Sequence, residues 1–176
     1  MKGVAVLSVC RGSVRTISFQ PKVLKYPMIA QGSETSPDLT DAGTFRHWTP
    51  VSLRFSDQDS MGHINNVAYA AYVEQARVAF IDTFLRNRGD SGLDYILASV
   101  NIDYRREMHF PGAVDTGIRL LRIGNKSITT GYGLFKDGEN VATAGSVNVF
   151  FDTGSGKTVP VPDTLRKILE DELAQD

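Results

Sequence analysis

The sequence predicts an α+β domain in which an antiparallel β-sheet wraps around one long central helix. Three observations predict it. From Asn66 onward, small and aromatic residues place apolar positions at helical spacing. Four strand-like stretches follow, separated by short turn-forming dipeptides. A polar loop with two aspartates, a glycine and a histidine stands just before the helix. One helix followed by adjacent, tightly connected strands favours antiparallel pairing over alternating parallel units.

In chain order, residues 1–33 contain no acidic residue, while Lys2, Arg11, Arg15, Lys22 and Lys25 are basic. Val4 to Val9 and Val14 to Phe19 are expected as short paired strands. Residues 31–44 are rich in Gly, Ser, Thr, Asp and Pro and read as linker. Residues 1–45 are thus expected as an N-terminal extension and 46–176 as the domain. Met28 is an alternative start of the chain. Thr49 to Ser56 is the first strand, with Val51, Leu53 and Phe55 alternating with polar residues. The helix runs from Asn66 to Arg88, with Val73, Ala76, Phe80 and Phe84 on one face. Its alanines keep it slim, and Gly89 ends it. Strands then follow at Tyr95 to Arg105, Val114 to Arg122, Ser127 to Lys136 and Val141 to Asp152. Pro111-Gly112, Gly124-Asn125 and Asp137-Gly138 turn the chain between them, the last being a strong hairpin signal. A short helix over Pro162 to Gln175, capped by Asp163, closes the sequence.

Composition sets limits. At 176 residues and 41% apolar content, the chain can bury a single core. A net charge of −1 argues against a broad nucleic-acid face. Cys10 is the sole cysteine, which rules out an intramolecular disulfide and a cysteine-based zinc site. No apolar run approaches the length of a membrane span, and MKGVAVLSVC lacks a signal-peptide cleavage pattern. A cytoplasmic protein with no membrane partner is expected.

The chemistry concentrates in RFSDQDSMGHINNVAYAAYVEQAR, residues 54–77. A helix N-terminus presents unpaired N–H groups and about half a unit of positive charge. A carbonyl docked there is polarised, and an oxyanion forming there is stabilised. Asp59, a few residues upstream, is placed to attack such a carbonyl or to activate a water. Amides around Asn65 and Asn66 are the candidate polarisers. Aspartates before helices also serve simply as caps and turn formers. Asp57-x-Asp59-x-x-Gly62 imitates half of a calcium loop, but Ala68 stands where the bidentate acid is required, so no metal is expected. Gly154 to Thr158 imitates the end of a phosphate-binding loop, but Phe151 replaces its first glycine and no helix follows. Gly131 and Gly133 lie inside a strand and are read as packing residues.

DQDSMGHINN, Tyr69, Tyr72 and EQAR (Glu74 to Arg77) together resemble the signature of hot-dog-fold thioesterases related to 4-hydroxybenzoyl-CoA thioesterase. The resemblance continues through VNIDYRREMHFPG, LLRIGNKSIT and the last strand. It implies a hot-dog fold, with the sheet wrapped on the helix. It also implies Asp59 as the catalytic carboxylate and a carbonyl-polarising amide near Asn66. His63 and Asn65 belong to the same motif, although the type enzyme lacks His–Asn–Asn after its glycine. Glu74 is a second candidate carboxylate, since a related branch uses a helix glutamate.

The implied reaction is hydrolysis of an acyl-CoA with a small aromatic or short to medium acyl group. No cofactor is expected, coenzyme A being part of the substrate. Tyr69 and Tyr72 would line the acyl group. Arg105, Arg122 and Lys126 are candidates for the coenzyme A phosphates, with Arg106 beside them, and Ser127 for orientation. His109 is placed at the mouth of the site or in a turn. A homodimer or dimer of dimers is implied. The alternatives are a carrier-protein thioesterase, a non-catalytic acyl-CoA-binding module and, less well matched, a dehydratase.

Overall fold

The computed structural model describes residues 36–85 and 92–175. All elements below belong to Pro37–Asp176, which forms one compact unit. In chain order they are a 3-10 turn at Ala42–Thr44, β1 (His47–Ser52), a second 3-10 turn at Phe55–Asp57, α1 (Asn66–Leu85), β2 (Leu93–Tyr104), β3 (Ala113–Ile123), β4 (Ser127–Lys136), β5 (Glu139–Asp152) and α2 (Asp163–Ala174). The five strands form one sheet in the order β1-β3-β4-β5-β2, every neighbouring pair antiparallel. The expected α+β arrangement is the one found. The paired strands expected within residues 1–33 lie outside the described residues, as does Gly89.

α1 packs on one face of the sheet. Val73, Ala76 and Phe80 are buried as the spacing predicts, together with Tyr69, Tyr72 and Ile81. They meet Ile118, Leu120, Ile128, Tyr132, Leu134, Ala144 and Phe150 from the inner face of the sheet. The same face holds a buried polar cluster. The Thr130, Tyr132 and Ser146 hydroxyls lie 2.8–2.9 Å from one another, and Asn148 donates to Ser146. Mutual pairing lets these groups sit in the core without each bearing the desolvation cost alone. Asp137 and Gly138 both have positive φ, the backbone that a type I′ hairpin requires.

Three expectations need correction. The first strand is not Thr49 to Ser56 but ends at Ser52. The Asp57 carboxylate accepts hydrogen bonds from the Arg54 backbone and guanidinium, which bends the chain into a 3-10 turn. Phe55, expected on the buried face, is therefore 76% exposed. Second, Asp163 does not cap α2. The N-cap position is Pro162, and Asp163 lies inside the first turn. Third, the polar stretch read as linker folds onto the sheet from Asp38 onward. Asp41 caps the first 3-10 turn, and Phe45 is buried against the outer face. There Phe45, Trp48 and Phe135 stack edge to face. Glycines clear the space: a Cβ on Gly133 would lie 2.6 Å from Phe45 and Phe135, and one on Gly131 3.0 Å from Leu39.

Candidate active site

The loop between β1 and α1 is held at both ends by backbone pairing. The Ile64 amide donates to Met108 and the Asn65 amide to the Asp57 carbonyl. Within it, Gly62 adopts a φ of 81°, the left-handed conformation glycine tolerates best. The Asp59 amide donates to the His63 carbonyl at 2.8 Å. Asp59 Oδ1 accepts the Met61 and His63 amides at 2.8 and 3.1 Å. That leaves Oδ2 without a partner among the described residues. The carboxylate is thus oriented by the loop while one oxygen stays available.

The second aspartate has a different position. Asp57 is 5% exposed. Arg54 holds its Oδ1 at 2.7 Å and the Tyr72 hydroxyl donates to its Oδ2 at 2.8 Å. Burial alone would push the Asp57 carboxyl up, but the hydrogen bonds from Arg54 and Tyr72 outweigh it and hold it below the usual range. Burial, then the bond to Asp57, pushes the Tyr72 phenol well above its ordinary value. Asp57 and Tyr72 are a structural pair that fastens the loop to α1. Tyr72, at 1% exposure, lines neither of the two clefts described below.

At the start of α1, Asn65 is the cap. Its side chain accepts the Val67 amide at 2.9 Å and its carbonyl the Ala68 amide at 2.8 Å. Its own amide is already engaged by Asp57. The amide of Asn66 has no acceptor among the described residues. The Asn66 carbonyl accepts the Tyr104 hydroxyl at 3.1 Å, which ties α1 to the end of β2.

A cleft of about 290 Å³ opens here, lined by Asp59, His63, Ile64, Asn66, Tyr69, Tyr104, Arg105, Arg106 and Glu107. It gathers Asp59, His63, Asn66, Tyr69 and Arg105 from the residues expected on sequence grounds. Asn65, Tyr72, Glu74, Arg122, Lys126 and Ser127 do not line it. Glu74 stands eight residues along α1 from Asn66, roughly 12 Å. It pairs with the buried Arg77 at 2.9 Å. Lys126 reaches back to Thr158, and Ser127 pairs with Val149. Tyr104, at the cleft, pairs with Ala142. The run along β5 from Ala142 to Val149 separates the two ends of the sheet by roughly 23 Å.

Sequence reasoning missed Glu107 and Tyr104. Glu107 faces two histidines, with Oε2 3.4 Å from His63 Nε2 and Oε1 3.4 Å from His109 Nε2. A shared turn signature brings none of these together, because Glu107 and His109 arrive on the segment after β2. A wider groove of about 440 Å³ adjoins, lined by Arg106 through Pro111 with Lys136 and Glu139.

This sheet, helix and loop define the class. Residues 53–169 match the thioesterase-like superfamily, and the chain belongs to that family. It is a thioester hydrolase by class, built on the hot-dog fold. Among solved structures, it is similar to the PA5185 protein of Pseudomonas aeruginosa, at 31% identity over 73% of this chain and 92% of that one, with a TM-score of 0.61. A predicted thioesterase from Bacillus stearothermophilus is 27% identical over 71% and 94% of the two chains, with a TM-score of 0.64. A thioesterase from Thermus thermophilus, solved with coenzyme A and Zn, covers 75% of this chain and 98% of its own at a TM-score of 0.65. At 24% identity, that last likeness bears on the fold alone.

Proposed function

We propose that the protein hydrolyses acyl-CoA thioesters in the cleft at the start of α1, with Asp59 as nucleophile or general base. The observation that carries this reading is one juxtaposition. Asp59, with a free carboxylate oxygen, and Asn66, with an uncommitted amide at a helix N-terminus, line the same cleft. The thioester carbonyl oxygen takes the Asn66 N–H and the positive end of α1, which stabilise the charge that builds on it. Asp59 then attacks the carbonyl carbon or removes a proton from an attacking water. The carbon–sulfur bond breaks and the thiolate leaves. Where Asp59 is the nucleophile, water then cleaves the acyl–aspartyl anhydride, releasing the acid and restoring the carboxylate. Tyr69 borders the acyl group, and Arg105 at the rim suits the phosphates of coenzyme A. His63 lines the cleft beside Asp59. Asn65 acts on the reaction only by holding the helix start in place. The acyl group is small and aromatic or short to medium in chain length, and no cofactor takes part.

The working unit is a homodimer, with pairing of dimers as a further step. β2 is a 12-residue edge strand carrying exposed Ile96, Leu97, Val100 and Tyr104. Long apolar edges of this kind are normally covered. α1 also exposes Val67, Ala70, Ala71 and Val78 on its side away from the core. Reading Arg122, Lys126 and Ser127 as coenzyme A contacts requires that second chain, since they stand at the far end of the sheet.

The test is free-thiol release across a panel of aromatic and aliphatic acyl-CoAs, for wild type and Asp59→Asn. Turnover on at least one substrate, falling by about 10²- to 10⁴-fold in the variant, supports the proposal. Hydrolysis at wild-type rates by Asp59→Asn overturns the residue assignment. Saturable acyl-CoA binding with no turnover on the whole panel would instead favour a binding module.

A further inference from the structure

We propose that His63, Glu107 and His109 form a binding site for a zinc-class divalent ion at the rim of the Asp59 cleft. Each residue offers one ligand atom, and these atoms all lie within 4.8 Å of one another. Two imidazoles and one carboxylate are a donor set that suits zinc, with a position left open.

The hydrogen bonding around His109 gives the stronger argument. Its Nδ1 lies 3.1 Å from the Gly62 carbonyl oxygen. A carbonyl can only accept, so Nδ1 carries the proton. In the neutral ring, Nε2 is then a bare lone pair. That lone pair faces Glu107 Oε1 at 3.4 Å, and an ionised carboxylate is also acceptor only. A cation between two acceptors that face each other would bind both. Either a second proton on the ring or a metal ion serves. A protonated histidine bonds a carboxylate at about 2.7–2.9 Å, which is shorter than the contact found. Metal–nitrogen and metal–oxygen bonds of about 2.0–2.2 Å at tetrahedral angles set ligand atoms about 3.3–3.5 Å apart. The Glu107 Oε1–His109 Nε2 contact has that length, 3.4 Å, and His63 Nε2 stands 3.4 Å from the other carboxylate oxygen, Oε2. The bond from Nδ1 to a backbone carbonyl is also the outer-shell contact that fixes the tautomer of a metal-ligating histidine.

Local structure supplies the frame. Gly62 aims its carbonyl at His109 from a left-handed backbone. His63 and His109 meet edge to face, with ring centroids 5.0 Å apart. His63 and Glu107 also line the cleft that holds Asp59, so the ion site borders it. The site goes beyond the hydrolase reading and can be measured without any substrate, so either proposal can fail alone.

The experiment uses the full chain without a histidine tag, stripped with chelator and dialysed against zinc, with bound metal counted by elemental analysis and affinity measured by calorimetry. Cobalt substitution adds a spectroscopic reading, since four- or five-coordinate Co²⁺ gives visible bands that aqueous Co²⁺ does not. About one zinc per chain is expected, with affinity falling by at least about tenfold in His109→Ala and in Glu107→Ala, the least that even outer-shell changes cause. Comparing variants matters because Cys10 is another potential zinc ligand. Binding well below one ion per chain, or binding that neither substitution weakens, overturns the proposal.

Discussion

Asp57 and Asp59 are two positions apart, yet their surroundings give them opposite uses. Asp57 is spent on Arg54 and Tyr72 inside the protein, and Asp59 keeps one oxygen in the cleft. The Asp57 carboxyl is held below its ordinary value in the fold. The stability it adds is therefore complete above the ordinary aspartate pKa of about 3.9 and is lost as pH falls through the folded-state value. Asp57→Asn should cost about 1–3 kcal/mol at neutral pH, because the buried Tyr72 hydroxyl and the exposed Arg54 guanidinium lose their charged acceptor. Urea midpoints followed from pH 7 to 3 should show an acid-side drop in wild type that is smaller in the variant. An equal drop in both would remove Asp57 from the account. Arg105→Ala should raise KM for acyl-CoA several-fold with kcat little changed, since a rim cation contributes binding and not chemistry. Steady-state kinetics on the best substrate of the panel would check this.

At the scale of elements, the outer face of the sheet depends on glycines. Phe45 sits over Gly117 and Gly133, and a Cβ at Gly117 would lie 2.5 Å from the Phe45 ring. Gly117→Ala should destabilise by about 1–3 kcal/mol through overpacking. Phe45→Ala should cost about 3–5 kcal/mol, where a linker residue would cost almost nothing. Chemical denaturation of both variants reads this directly. The helix was legible in the sequence because its buried positions recur at three and four residues. The end of β1 was not. Val51, Leu53 and Phe55 continue the strand pattern, and only the contact of Asp57 with Arg54 and Tyr72 breaks it. The reading of residues 31–44 as linker does not hold from Asp38 onward, for a similar reason. Two apolar residues in a polar stretch look insignificant until the glycines beneath them are seen on neighbouring strands.

For the whole molecule, the exposed edge of β2 and the uncovered side of α1 call for a partner, and the proposed dimer answers both. Replacing Ile96 and Val100 together with glutamate puts like charges along that edge. The expected outcome is a halved mass in sedimentation equilibrium and a fall in kcat/KM if the partner completes the site. A wild-type chain that sediments as a monomer at assay concentrations would remove the dimer from the mechanism.

The amino-acid sequence by itself determined the helix, the hairpin at Asp137-Gly138, and the pairing of a carboxylate with a helix start at Asp59 and Asn66. These rest on neighbours a few positions apart, where spacing and turn preferences act directly. Only the tertiary structure decided that Tyr72 serves the core, that Phe45 belongs to the sheet, and that His109 bonds Gly62 across 47 positions of chain. Those outcomes depend on which strand edges and loop carbonyls meet after folding, and no local pattern of residues encodes that.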